Sequence, residues 1–391
     1  MKTRNLAIVF IVSIITLIAI AGLLVYAFQL QQERDAKDLE KIKNGTAITP
    51  TAPANPTDVP SNSPSLTPTP STSPTPAISP LVLGFAGDVN LSESSDPVKK
   101  YDASGKNLSQ CFSDDLLDEM RSADIMMLNN EFAYSTRGTK ASNKQYTFRA
   151  NPKRVDILKE MGVDIVSLAN NHSLDYGPDA LLDTFSTLDD AKIDYVGAGG
   201  DINRAKSPIY KTVGGRKIAY VAASRVVPEV GWYATDNKLG MVGTYDSALI
   251  LKSIKEAKAN SDFVVIFVHW GVERNNYPEA YQRDLAHEYI DEGADIVIGC
   301  HPHVMQGFEY YKGKPIAYSL GNYWFNSSKK ESGMVKLYLE ADGSTRFQLL
   351  PVMNKNVKTY LLTEEKEKKA YYDYMRSISS TVTIDEDGFI N

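Results

Sequence analysis

The stretch NPKRVDILKEMGVDIVSLANNH, residues 151–172, places an amphipathic segment, a short break and an apolar run in one line, and ends it on two asparagines and a histidine. Asn151 and Pro152 open the amphipathic part as a helix start should, and Gly162 stands just past its end. Three further stretches share the plan: FSDDLLDEMRSADIMMLNNE (112–131), YDSALILKSIKEAKANSDFVVIFVHWG (245–271) and EAYQRDLAHEYIDEGADIVIGCHPH (279–303). Apolar runs this short, alternating with amphipathic helices, predict βα units and a mainly parallel sheet buried on both faces. LVLGFAGD (81–88) supplies a further strand, Leu81 to Ala86. In sheets of this kind, groups at the carboxyl ends of strands converge on one crevice where ligands bind.

The residues at those ends are Asp88 and Asn90, Asn129 to Glu131, Asn170 to His172 with Asp175, His269 with Glu273, and His301 with His303. Four of the five histidines are among them; the fifth, His287, lies in a helical stretch and suits a surface or packing role. The set mixes carboxylate oxygen, amide oxygen and imidazole nitrogen without thiolate, which suits Zn, Mn or Fe better than Ca. Taken singly, GDVN reads equally as a turn, HWG as a core histidine and NNE as a helix cap. HPH is more specific, because a proline that fixes the backbone lets two imidazoles face one ion or neighbouring ions. ANNHSLDYG is the most specific: a histidine whose second ring nitrogen meets a carboxylate has its tautomer fixed, and Asp175 is placed to be that partner of His172.

The first 80 of the 391 residues have a different character. Leu6 to Phe28 is an apolar run that as a helix spans roughly 35 Å, enough for a hydrocarbon layer of about 30 Å. Lys2 and Arg4 before it predict a cytoplasmic amino terminus and an extracytoplasmic remainder, a single-pass protein of the cell membrane. Ala19 and Ala21 offer the alternative of a cleaved signal peptide, against which the run continues through LLVYAF. Thr49 to Pro80 is rich in Pro, Thr and Ser and is expected to be a disordered tether reaching on the order of 100 Å. The expected organisation is therefore 1–28 tail and transmembrane anchor, 29–80 juxtamembrane segment and linker, and 81–391 one large domain.

The formal charge is −6, and the first 80 residues contribute about +1 (six Lys and Arg against five Asp and Glu), which leaves about −7 on the domain. That sign argues against a nucleic-acid partner. Cys111 and Cys300 are expected to remain separate thiols. Trp232 and Tyr233, in a loop without a decodable motif, either line the cleft or pack against the surface.

The ordered set GFAGDVNL, LNNEFAY, YTFRANP, SLANNHSLDYG, YVGAG, VIFVHWGVE, GADIVIGCHPHVMQG and YSLGNYWF resembles the CapA family of capsule and poly-gamma-glutamate synthesis proteins, within the calcineurin-like metallophosphoesterase superfamily. The similarity runs over roughly residues 81–330 and is looser beyond Gly333. It implies a four-layer α/β/β/α sandwich, with MVKLYLEADGSTRFQLLPV as a hairpin completing the second sheet around Asp342 and Gly343. It makes Asp88 the carboxylate of the first motif, Glu131 the bridge between two metals and Asn171 an oxygen ligand of the second ion. His269, His301 and His303 supply imidazoles, and His172, oriented by Asp175, is the implied acid. Asn90 stands where the superfamily has a histidine, and Glu131 where it usually has an aspartate; both changes bear on whether one or two ions are held. Asn90, Asn170 and Asn322 are candidates for supporting positions. Two ions would polarise a phosphoryl or acyl oxygen and lower the pKa of a water towards about 7. The expected function is a metal-dependent hydrolase of an anionic envelope polymer such as poly-gamma-glutamate, or of its phosphorylated intermediate. The alternative is a non-catalytic polymer-binding subunit working with membrane-bound synthesis and export proteins.

Overall fold

The computed structural model describes residues 79–326 and 330–391. The expected anchor Leu6–Phe28 and the Pro-rich linker lie outside the described residues, among which no helix is long and apolar enough to cross a membrane.

The chain begins with β1 (Leu81–Val89), α1 (Asp96–Ala103), α2 (Asp114–Arg121), β2 (Ile125–Asn130), the short β3 (Ala133–Tyr134) and β4 (Arg149–Ala150), and α3 (Val155–Glu160). It continues through β5 (Ile165–Ser167), α4 (Gly177–Ala191), β6 (Asp194–Val196), β7 (Ala198–Gly199), α5 (Ile202–Lys206), β8 (Ile209–Val213), β9 (Arg216–Ser224) and β10 (Gly240–Met241). Then come α6 (Ala248–Asn260), β11 (Phe263–His269), α7 (Ala280–Glu292), β12 (Ile296–Cys300), β13 (Phe308–Tyr311), β14 (Lys314–Ala317) and β15 (Asn322–Trp324). β16 (Lys330–Leu339), β17 (Thr345–Lys355), β18 (Lys358–Leu361), α8 (Glu365–Ile378) and β19 (Phe389–Ile390) complete it.

Two large sheets result. The first has the order β18-β17-β16-β1-β2-β5-β6, with β15 beside β1 and β19 beside β17. The second has the order β13-β14-β12-β11-β9-β8. β1, β2, β5 and β6 run parallel in the first, and β9, β11, β12 and β14 in the second, as the helix–strand alternation predicts.

Strand alternation sorts the apolar residues into three cores. Leu83, Phe85, Met127 and Ile165 of the first sheet pack against Tyr220, Val265, Phe267 and Ile298 of the second. Val89, Met126, Leu128 and Val166 face outward to Leu117, Leu158 and Leu188 of α2, α3 and α4. On the far side Val221, Val264, Ile266 and Val297 meet Ile250, Ile254, Leu285 and Ala286 of α6 and α7. Two sheets thus pack face to face with helices on each outer side.

The hairpin β16–β17 forms with its turn around Asp342 and Gly343, but it joins the first sheet rather than the second. The free edge of β1 explains this: Leu83 pairs with Leu337 and Phe85 with Val335, which completes the apolar layer between the sheets. Both cysteines are free thiols, fully buried in different cores. His287 stacks on Tyr311 at 3.8 Å and lies 2.7 Å from Glu309, an ordinary packing position.

Candidate metal centre

Each sheet sends its strand ends into one crevice. Asp88 is the penultimate residue of β1, where the pairing with β2 shifts register between Phe85 and Asp88. Glu131 follows β2, and Asn170, Asn171 and His172 follow β5 in a tight turn ahead of α4. From the second sheet come His269, the last residue of β11, and His301 and His303, directly after β12. Both of the latter have left-handed backbone, φ 101° and 58°, on either side of Pro302. Such strain, costing about 1–3 kcal/mol per residue, persists where the surrounding fold over-determines it, here turning both imidazoles inward.

The structure brings Asp88, Glu131, Asn171, His269, His301 and His303 together. Two groups of ligand atoms share Glu131: Asp88, Glu131 and His303 form one, Glu131, His269 and His301 the other, and within each all atoms lie within 4.8 Å of one another. Asn171 Oδ1 joins the second group at 2.8 Å from His269 Nε2. Asp88, His269 and Cys300 form a further such group, although no thiol was expected in the ligand set. Glu131 Oε1 is buried and has no hydrogen-bond partner. The Nε2 atoms of His172, His269 and His303 surround it at 3.8, 3.9 and 4.0 Å. His301 Nδ1 is likewise buried and unpartnered.

Asparagines hold this cluster. Asn129 Nδ2 donates to Asp88 Oδ1 at 2.8 Å and to Glu131 Oε2 at 3.2 Å, while its Oδ1 accepts from Asn170 Nδ2 at 3.0 Å. Asn170 Oδ1 accepts the backbone N–H of His172 at 3.0 Å, so it shapes the turn rather than facing the ligand atoms. Asn322 Oδ1 lies 2.7 Å from His303 Nδ1. Asn90 Oδ1 accepts the N–H of Ser92 at 2.9 Å, which uses its oxygen inside its own turn.

Beside the cluster, His172 Nδ1 lies 2.6 Å from Asp175 Oδ2; the carboxylate accepts, so Nδ1 carries a proton and Nε2 faces Glu131. Asp175 also accepts the Phe148 N–H at 2.7 Å, and the Phe148 ring covers the imidazole at 4.2 Å. Lys144 pairs with Asp175, donates to the Asn171 carbonyl, and lies 3.2 Å from His172 Nδ1 beneath Trp232 at 5.0 Å. Trp232 is buried over that lysine, between the two alternatives its loop allowed. Sequence reasoning missed Lys144, Phe148 and Cys300 as site residues, and it gave Asn129 no role. Asn129 stands among the strand-end groups and Phe148 within YTFRANP, whereas Lys144 sits in a polar loop with no pattern pointing to His172.

Electrostatics agree with a cation-binding purpose. Burial, followed by the neighbouring charge of Asp88, raises the Glu131 carboxyl well above its ordinary 4.5. Burial also raises Asp88, but hydrogen bonds from His303 and Asn129 and the nearby imidazole charges outweigh it, holding that carboxylate below 3.8. Burial and the His303 charge push His301 down to about 3, and burial with its imidazole neighbours pushes His269 well below 6.5. Burial pulls His303 down, yet bonds and charge from Asp88 and the Asn322 bond carry it above 6.5. Burial lowers His172 against the support of Asp175, and burial first of all keeps Cys300 a neutral thiol. Two imidazoles held neutral, His269 and His301, beside a buried Glu131 oxygen without a partner form a donor set that fits divalent transition metals, to which Glu131 and His303 add once they give up their protons.

These features define a two-sheet α/β protein with a buried, mixed oxygen and nitrogen centre at its strand ends. Residues 82–327 match the family described as bacterial capsule synthesis protein PGA_cap, and the chain belongs to that family. It is 36% identical over 217 residues to the PGA biosynthesis protein CapA of Bacillus subtilis (strain 168), covering 54% of this chain and 57% of that one. It is 35% identical over 218 residues to the capsule biosynthesis protein CapA of Bacillus anthracis, covering 54% and 53%. A probable polyglutamine synthesis accessory protein of Mycobacterium tuberculosis is 31% identical over 214 residues, covering 52% and 56%. The chain spans little more than half the length of these curated relatives. A phosphatase structure from Mycoplasma pneumoniae, 13% identical over 71% of this chain and 95% of its own, superposes with a TM-score of 0.43, too distant a likeness to carry an argument.

Proposed function

We propose that residues 81–391 are an extracytoplasmic metal-dependent hydrolase of metallophosphoesterase type, acting in capsule or poly-gamma-glutamate synthesis. Leu6–Phe28 anchors it in the cell membrane with the amino terminus inside, and the Pro-rich segment holds it off the lipid beside synthesis and export proteins. The substrate is the envelope polymer or a phosphorylated intermediate of it. The observation that supports this most is Glu131 Oε1, buried without a hydrogen-bond partner and ringed by three imidazole nitrogens at 3.8–4.0 Å. A buried carboxyl left this way must either keep a proton, as its raised pKa favours, or meet a cation that displaces it.

Asp88, Glu131 and His303 would hold one ion, and Glu131, Asn171, His269 and His301 would hold a second. Bound divalent ions of the Mn, Zn or Fe type supply Lewis-acid polarisation of a phosphoryl or acyl oxygen and acidify a water. His172 Nε2 faces the same space, and Asp175 steadies the ring and favours its charged form when it passes a proton to a leaving oxygen. Lys144 and Phe148 hold Asp175 in place.

The test is metal content together with turnover of a generic phosphodiester by the purified full chain in Mn or Zn. His301→Ala is expected to lose metal, and His172→Asn to keep metal but lose most turnover. A metal-replete wild type inert on phosphodiesters, phosphomonoesters and gamma-glutamyl amides would leave the non-catalytic polymer-binding subunit as the better reading.

A further inference from the structure

A domain carrying about −7 repels an anionic chain at long range, so a polymer that reaches the centre must meet local positive charge. Such charge is tied directly to the metal-centre segments. Arg225, next after β9, donates its backbone N–H to the His269 carbonyl at 2.8 Å. Arg274, on the loop after β11, donates its backbone N–H to the Pro302 carbonyl at 2.8 Å, with left-handed φ of 64°. Lys330, at the start of β16, donates Nζ to the His303 carbonyl at 3.3 Å.

None of the three has a carboxylate in hydrogen-bond or ion-pair contact among the described residues. Most other exposed or half-buried arginines of the domain do, as Arg154 has with Glu93 and Asp102 and Arg137 with Asp183. The Arg225 guanidinium instead donates Nη1 to the Thr244 carbonyl at 3.1 Å and lies over the rings of Tyr245 at 3.9 Å and Tyr281 at 5.1 Å. Those rings orient it without neutralising it. Arg274 and Lys330 are near enough to repel each other, and Lys330 lines a cavity of about 180 Å³ with Asn276, Val304, Met305, Glu331 and Tyr374. Glu331 beside Lys330 and Glu273 near His303 are the opposing charges; neither closes an ion pair with these cations.

We propose that Arg225, Arg274 and Lys330 form an anion-holding rim that takes a carboxylate-rich polymer, gamma-linked polyglutamate, and lays it across the metal centre. Its repeating carboxylates engage several weak positive sites at once, so modest contacts sum to useful affinity. Arginine binds carboxylate and phosphate through the same planar fork, and the shared chemistry is therefore a repeating anion. This inference rests on the proposed function for what is held, although the holding does not require turnover.

The test is fluorescence anisotropy of labelled poly-gamma-glutamate oligomer with the full chain, metal-loaded and in a salt series, with a polyglycerol phosphate oligomer as second probe. Arg225→Gln, Arg274→Gln and Lys330→Gln are each expected to weaken polyglutamate binding roughly twofold to fivefold and to flatten its salt dependence. The triple variant is expected to lose about tenfold or more at unchanged metal content. Arg225→Lys combined with Lys330→Arg should bind close to wild type, which separates charge from folding. Wild-type affinity in the triple variant overturns the rim, and so does tighter binding of the phosphate polymer than of polyglutamate. Rim-dependent binding without hydrolysis sinks the hydrolase and keeps the rim; phosphodiester turnover without polymer binding does the reverse.

Discussion

Asn129 commits its amide nitrogen to both carboxylates of the centre and its oxygen to Asn170, so one side chain sets the orientation of Asp88, Glu131 and the His172 turn. A residue of similar size without the amide leaves two buried carboxyl groups facing each other with no donor between them. Asn129→Leu is therefore expected to lower metal affinity about 10–100-fold while the protein stays folded, as read by calorimetric titration of Mn or Zn. An unchanged affinity would mean that the ligands hold their own geometry. At this scale the sequence was informative wherever chemistry follows a strand: an aspartate, glutamate, asparagine or histidine placed there has the crevice as its nearest polar environment. Lys144 was illegible because its neighbours His172 and Asp175 are about thirty residues further along the chain, and its partner Trp232 lies on the other sheet's connections.

The elements that carry the ligands depend on one close crossing. A Cβ on Gly87 would stand 2.0 Å from the carbonyl oxygen of Gly321, the oxygen that accepts the Asp88 N–H at 2.9 Å. That contact seats β15 beside β1 in parallel register, Asp88 opposite Asn322, and so brings the Asn322 oxygen to His303. Gly87→Ala must push the backbones apart, since neither neighbour is a flexible side-chain end. It is expected to destabilise the fold by on the order of 2–3 kcal/mol in denaturant melts and to weaken metal binding in the fraction that folds. The long parallel strands were readable because burial on both faces demands continuous apolar runs between amphipathic helices. β15 was not: three residues in YSLGNYWF carry no periodicity, and Asn322 reads equally as a turn residue until its pairing is known. The hairpin's own turn was readable, while the sheet it joins depends on the free edge of β1, which local sequence does not encode.

Across the whole domain, the centre joins two sheets whose shared core is largely apolar, their other polar links, such as Lys211 with Asp194 at 2.6 Å and the Tyr310 hydroxyl with the Ile390 carbonyl at 3.0 Å, lying at outer strands. Asp88, Glu131 and Asn171 come from the first, and His269, His301 and His303 from the second. An ion held by both therefore binds the folded state alone and stabilises it by mass action, about 2.7 kcal/mol when free metal is a hundredfold above its Kd. For a domain of this size, with an unfolding entropy of about 0.65 kcal/mol/K, that is a rise in Tm of roughly 4 °C relative to chelated protein. The pH dependence follows from the protons that the ion displaces. His269 and His301 are already neutral near pH 7, with His301 down to about 3, so they release nothing. Glu131 and His303 are both raised, well above 4.5 and above 6.5 respectively. In the ion-free protein, a raised pKa gives stability that is present at low pH and lost as pH rises through the folded value. The ion-bound state has the opposite trend, because its ligands must be deprotonated. The metal-dependent gain in Tm is accordingly expected to widen as pH rises past 6.5 and to shrink below it, with proton release visible when titrations are repeated in buffers of different ionisation enthalpy. His301→Ala should abolish the gain and Arg225→Gln should retain it; a gain that ignores pH, or survives His301→Ala, would place the ion elsewhere.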